Sequence, residues 1–411
     1  MKNQRKTHNL IFFILFFLLI TLNSYRAINN INVFANTTNV EEDAEEVIEI
    51  ANIEEFEQIR NFPDLSYKLV ENIDFQNQYF TPISNFSGVL DGNFKKIKNI
   101  KINSKNENVG IFENLTGATI KNVGVENIII NNNNSLYVGA FAGTTKDSSI
   151  QNSFVSGYIN VNTNNELYCG GFIGHVYRPL AEPTITNCFS NIEFNIDGKK
   201  NITTGGFVGY ASMDGNLIHG FTYGKNVAKI HNSSSSSFIK VTNSASKQLL
   251  SNPGTAVGGI IAESYGGTHK ITNSIFDGQI WVKSNNIFMY TGYIYGTNGK
   301  SENCFVTDTS VIRENNEIIT WKSCGYDQVS ITSITDINNA IKVLFDDNIW
   351  TIHEEHLPTL NNYESINFIT FDFNPEFNEK NSNIVLIIIL IIVLPIIIGF
   401  IVIFIKIKMI K

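Results

Sequence analysis

The feature that most restricts how this chain folds is a glycine motif that returns six times in register. It reads Val109-Gly110-Ile111-Phe112, Val138-Gly139-Ala140-Phe141, Cys169-Gly170-Gly171-Phe172, Thr204-Gly205-Gly206-Phe207, Val257-Gly258-Gly259-Ile260 and Thr291-Gly292-Tyr293-Ile294. The leading glycines are 29, 31, 35, 53 and 34 residues apart. A second column follows: Ile120-Lys121-Asn122, Ile150-Gln151-Asn152, Ile185-Thr186-Asn187, Ile230-His231-Asn232 and Ile271-Thr272-Asn273, with Glu302-Asn303 in the last copy. A third matches Gly157-Tyr158-Ile159-Asn160-Val161 with Gly278-Gln279-Ile280-Trp281-Val282. Self-similarity at such a period marks a chain that stacks one structural unit on the next.

Three strand-like segments per period, with turn-formers between them, predict an all-β fold, a parallel β-helix spanning residues 67–360. Each period is one coil, about 4.8 Å from its neighbour. Stacking like on like makes Phe112, Phe141, Phe172 and Phe207 an internal aromatic column, continued by Ile260 and Ile294. The asparagines form a hydrogen-bonded ladder at the bends, and the glycines supply backbone angles at corners. Hydrophobic residues at 43% allow a sizeable core, and only 17% are charged. A β-sandwich is the competing arrangement, but it needs hairpins, and few Asn-Gly or Asp-Gly pairs stand where hairpins require them. The longest insertion lies between Gly209 and Val257.

The two ends set the topology. Lys2, Arg5 and Lys6 precede an apolar run from Leu10 to Leu22, the pattern of a secretory signal. Val33-Phe34-Ala35 predicts cleavage after Ala35, so that residues 1–35 are the signal; an uncleaved anchor is the alternative. Ile384 to Ile405 carries no charge and is long enough for a transmembrane helix. Lys406, Lys408 and Lys411 follow and place the 406–411 tail in the cytoplasm. The part between the two ends then holds 23 basic residues against 38 acidic. That balance argues against nucleic acid as a partner.

Residues 36–66 read as an acidic, exposed leader over 36–52 and then a short capping helix in which Ile53, Phe56 and Ile59 share one face. The helix is expected to cover the open end of the stack. Residues 361–383 read as a polar tether between the stack and the membrane.

Gly171-Phe172-Ile173-Gly174 and Gly206-Phe207-Val208-Gly209 resemble the signature of GLUG repeats. Tyr67–Phe75, Thr81-Pro82-Ile83 and Phe86-Ser87-Gly88-Val89-Leu90-Asp91-Gly92 are similar to the segment that precedes such arrays. Trp350-Thr351-Ile352 with Leu357-Pro358-Thr359-Leu360 resembles their close. The resemblance covers roughly residues 50 to 360. It implies a right-handed, surface-exposed β-helix of the kind found in bacterial adhesin-like proteins and beside protease domains in some immunoglobulin A peptidases. The first copy departs from the pattern, with Glu113-Asn114 where Ala142-Gly143 stand in the second.

Chemistry is sparse by comparison. His353-Glu354-Glu355-His356 has its histidines three apart and fits neither zinc-protease spacing; it reads as a polar turn. Cys188 and Cys304 share a repeat position with Ser153, Ser233 and Ser274, which predicts a small inward-facing role about three coils apart and no bridge between them. Cys169–Cys188 and Cys304–Cys324 are the pairings left open. Asp277, Asp214, Glu263, His175, Arg178 and Lys283 are the candidates for a polysaccharide-acting site, yet no two keep a repeat-related spacing. Tyr168, Tyr177, Tyr210, Tyr223, Tyr265, Tyr293 and Tyr295 offer rings for a sugar or protein partner, or else fill the interior. Six asparagines, from Asn36 to Asn232, begin glycosylation sequons. The expectation is a membrane-anchored display module for an extracellular protein or glycan, with no catalytic, metal or cofactor residue assigned. Its specificity is expected in the insertions between coils.

Overall fold

The structure is a computed structural model that describes residues 47–177, 184–212, 226–245, 254–265, 268–285, 288–297, 299–319 and 329–371. The signal at 1–35, residues 213–225 and 246–253 of the long insertion, Cys324, the 384–405 span and the basic tail lie outside the described residues. No helix among the described residues is long and apolar enough to cross a membrane.

Each coil begins at its asparagine. Asn122, Asn152, Asn187, Asn232, Asn273 and Asn303 all adopt φ between +47° and +56°, a region this side chain tolerates better than most. Their amides form the expected ladder. Asn122 Nδ2 donates to Asp91 Oδ1 at 3.0 Å, Asn152 to Asn122 and Asn187 to Asn152 at 3.1 Å, and Asn273 to Asn232 at 3.1 Å. The next residue points inward and is small. Ser153, Cys188, Ser233, Ser274 and Cys304 are buried. Each side chain donates to the carbonyl two residues back, at 2.7, 3.3, 2.8, 2.9 and 3.5 Å respectively. Cys169 and Cys188 are free thiols, not a bridge.

On either side of these turns run two large sheets whose neighbouring strands come from successive coils. Among the described residues one has nine strands, from Val47–Ile50 to Gly299–Glu302, and the other fourteen. In the first, Ile120, Ile150, Ile185, Ile230 and Ile271 pair in parallel register and are buried. Two six-stranded parallel sheets complete the coil. Among the described residues, antiparallel pairing is confined to Val311–Glu314 with Glu317–Ile319 and Trp350–Thr351 with Thr359–Leu360. That excludes the β-sandwich. The pattern is that of a β-helix.

The glycines act differently from the corner role expected of them. Among the described residues only Gly117 and Gly157 have positive φ, and neither belongs to the motif. A Cβ on Gly110, Gly139, Gly170, Gly205 or Gly258 would instead lie 1.9–2.5 Å from a carbonyl oxygen. On Gly143, Gly174 or Gly209 it would meet a backbone nitrogen of the facing strand at 2.5–2.6 Å. The motif therefore lets the two six-stranded sheets pack backbone against backbone. Between the glycines, Phe141, Phe172 and Phe207 stack inward with ring centroids 5.2 and 4.8 Å apart. Phe112 leaves the expected column. Its strand is shifted by one residue, so that it pairs with Ala142 and stacks on Phe86 at 4.8 Å.

Part of the leader is structured. Val47–Ile50 adds a parallel strand beside Ser66–Leu69. Asn52 Oδ1 then caps the helix Ile53–Glu57, accepting from Glu55 N at 2.9 Å. Phe56 packs on Phe75 and Phe80.

The C-terminal side departs further from expectation. Residues 334–369 turn back along the flank of the stack. The amphipathic helix Ile334–Ile341 is capped by Ser333. Its Ile337 and Ile341 join Phe345, Trp350 and Leu360 in a second core against Phe154, Phe189 and Ile275. The first part of the expected tether continues this packing. Tyr363 Oη donates to Asn152 O at 2.8 Å, and Ile369 N donates to Asn191 Oδ1 at 2.6 Å. Between them lies a buried ion pair, Lys96 Nζ to Glu126 Oε2 at 3.1 Å. Lys96 also donates to Ser365 O, and Glu126 accepts from the backbone and side chain of Asn367. The polar composition of 361–369 thus serves hydrogen bonding to the stack.

Candidate functional site

Two surfaces bring together residues singled out in the sequence. The first is the outer seam between the two six-stranded sheets, just beyond the glycines. Along the middle coils, side chains on one sheet meet side chains on the facing sheet a coil further on. Tyr137 stacks on His175 at 4.7 Å, and Tyr168 lies 4.6 Å from Tyr210. Thr203 Oγ1 donates to Glu263 at 3.3 Å. His175 Nε2 also bonds Ser212 Oγ at 2.7 Å, and Tyr177 lies edge-on to it. Burial lowers the His175 pKa to about 4. Burial raises that of Glu263 to about 7, against the Thr203 hydrogen bond. His175 and Glu263 share a register column, but Tyr210 stands between them. Two strand spacings, about 9.6 Å, keep them from acting as an acid–base pair. The seam is a zipper that closes the gap outside the glycines.

The second surface is a groove of about 610 Å³ between the stack and the returning segment. The stack contributes Phe189, Asp277, Thr307 and Asp308, and the returning segment contributes His353, Glu355, His356, Leu357 and Phe368. Phe368 packs on Phe189 at 4.8 Å. The Asp277 Oδ1 accepts from the hydroxyls of Thr307 and Thr309, an arrangement that fixes the carboxylate. The segment from His353 to His356 is the loop between Trp350–Thr351 and Thr359–Leu360, the polar turn that was expected. Asn338 Nδ2 pins it by donating to the carbonyls of His353 and His356, and His353 Nε2 bonds Thr359 Oγ1 at 2.8 Å. The two imidazoles are 6.5 Å apart. Among the described residues no three potential ligands are placed to hold a metal ion.

The sequence candidates therefore scatter. Asp277 lines the groove, while His175, Glu263, Tyr168, Tyr177 and Tyr210 meet at the seam. Lys283 is exposed on the strand Gln279–Ser284, and Tyr293 and Tyr295 are buried. Asp214, Arg178 and Tyr223 lie outside the described residues, and so does the side chain of Tyr265. Sequence reasoning missed Asp308, Phe189 and Phe368. A signal for the flank was present, because the residue after each small one is apolar: Phe154, Phe189, Ile275 and Phe305, interrupted by Ser234. These five pair in register and form the stripe that the returning segment covers.

No family model and no curated protein matches the chain. Among solved structures, a candidate immunoglobulin A1 protease from Bacteroides ovatus aligns over 77% of this chain and 93% of its own. Its TM-score is 0.58 at 18% identity. A structure described as IgA1 protease aligns over 71% of this chain and 22% of its own, with a TM-score of 0.43 at 15% identity; this chain spans about a fifth of that protein. The likeness to the Bacteroides ovatus structure is one of fold: stacked parallel β-coils over most of the chain.

Proposed function

We propose that this chain is a surface module of the GLUG-repeat type, a right-handed β-helix that binds or displays and does not catalyse. Its N-terminal helix closes one end of the stack, a cleaved signal exports it, and the 384–405 helix anchors it with the basic tail inside. The partner is an extracellular protein or glycan. Right-handedness agrees with the strong preference of parallel crossovers. The name of the Bacteroides ovatus structure is compatible with a secreted or surface role. The observation that carries the binding reading is the flank groove, whose size falls within the ordinary range for ligand sites. A pure spacer has no need of such a groove.

A polysaccharide-acting enzyme is the second reading, favoured by the presence of Asp277, Asp308 and Glu355 in one groove. It requires two carboxylates within about 10 Å of each other across a bound sugar. The test is to apply the full-length chain, in detergent micelles, to arrays of matrix proteins and glycans. Binding to a restricted set supports the module. Absence of any retained partner favours the spacer, and release of new reducing ends favours the enzyme.

A further inference from the structure

We infer that the flank groove seats a basic side chain, lysine or arginine, carried by a protein partner. This rests on reading the chain as a binding module and adds which chemistry its groove selects. Three carboxylates, Asp277, Asp308 and Glu355, line the groove, and no lysine or arginine is among the described residues that do. Like-charge repulsion disfavours an anionic ligand at such a surface. Both hydroxyl donors to Asp277 meet Oδ1, which holds the carboxylate in place and leaves Oδ2 lone pairs for an incoming donor. Asp308 and Glu355 are exposed, so a charged partner gains from them without a large desolvation cost.

The other wall is apolar. Phe368 retains 40% of its surface beside Phe189 and Leu357. Lysine and arginine are the side chains that combine an apolar stem with a cationic head. The stem lies along the phenylalanines, where the cation also gains from the ring faces, and the head reaches the carboxylates as a charge-assisted donor. A neutral sugar can donate to the same acceptors but brings no positive charge to balance three carboxylates. The groove exceeds the volume of one such side chain, which leaves space for the adjoining peptide backbone. Stack and returning segment both supply carboxylates, so binding also tightens the seating of that segment.

The test is calorimetric titration of the full-length chain in detergent with three probes: a blocked Gly-Arg-Gly tripeptide, its citrulline counterpart and maltose. The arginine tripeptide is expected to bind at least tenfold more tightly than the citrulline form and to weaken as salt rises. Asp308→Asn with Glu355→Gln is expected to weaken it about tenfold. Both side chains are exposed, and each single variant serves as a check on folding. Glu54→Gln, on the N-terminal helix, should change nothing. Equal binding of arginine and citrulline forms, preference for maltose, no effect of the double variant, or no binding of any probe would each overturn the inference. If no probe binds while the arrays still retain a partner, the display reading stands and this inference alone falls.

Discussion

At the residue scale, the coil depends on positions where one side chain type does two things. Asn152 holds φ at +48° while its amide both donates and accepts along the ladder. Alanine loses both roles and glycine loses only the ladder. Asn152→Ala should cost about 2–3 kcal/mol and Asn152→Gly about 1 kcal/mol, read as a shift in urea midpoint. Equal losses would show that the left-handed turn is not what selects asparagine. The seam makes a pH prediction. Glu263 has its folded pKa raised to about 7, so its favourable contribution is present below its ordinary pKa and disappears as pH rises through about 7. Glu263→Gln should therefore stabilise the fold above pH 7, by about 3 kcal/mol at most, and leave it unchanged below pH 4.5. His175, lowered to about 4, works in the opposite sense. Its contribution is present above about pH 6.5 and is lost as pH falls toward 4. Melting temperatures of Glu263→Gln and wild type between pH 4 and 8 check the sign.

At the element scale, the glycine motif and the returning segment are the two devices that shape the stack. A methyl group on Gly170 has no space beside the Ile173 and Phe207 carbonyls, so Gly170→Ala should destabilise by about 1–3 kcal/mol or more. Ala262→Gly, at the matching second-glycine position, should be much milder. The returning segment is fastened where Lys96 and Glu126 meet Ser365 and Asn367. Glu126→Ala leaves a buried lysine without its counter-charge and should cost about 3–5 kcal/mol. Lys96→Met with Glu126→Leu should restore most of that stability while leaving amides 363–369 fast to exchange, as hydrogen–deuterium exchange would report. These elements were unequally legible. The coils were readable because each copy repeats the same local requirement. The Ile334–Ile341 helix and the segment after it occur once, so no second copy marked them. Their polar residues look like a linker until the stack's own polar groups, such as Asn191 and Glu126, are seen facing them.

At the scale of the whole molecule, repetition builds the scaffold and its departures build the candidate site. Phe112 is misplaced by the repeat alignment because one residue fewer in that copy shifts the strand after the corner. The groove was hidden for a related reason: Asp277 and His353 are 76 positions apart in the chain and meet only when the last segment folds back. Residues 213–225 and 246–253 of the expected specificity region between Gly209 and Val257 lie outside the described residues, and the groove offers a defined alternative. The most direct test is to run full-length wild type and the Asp308→Asn, Glu355→Gln variant side by side on arrays of extracellular proteins and glycans. The account predicts that wild type retains protein partners rich in exposed lysine or arginine and that the variant loses them about tenfold. Identical partners and affinities for both chains would contradict it.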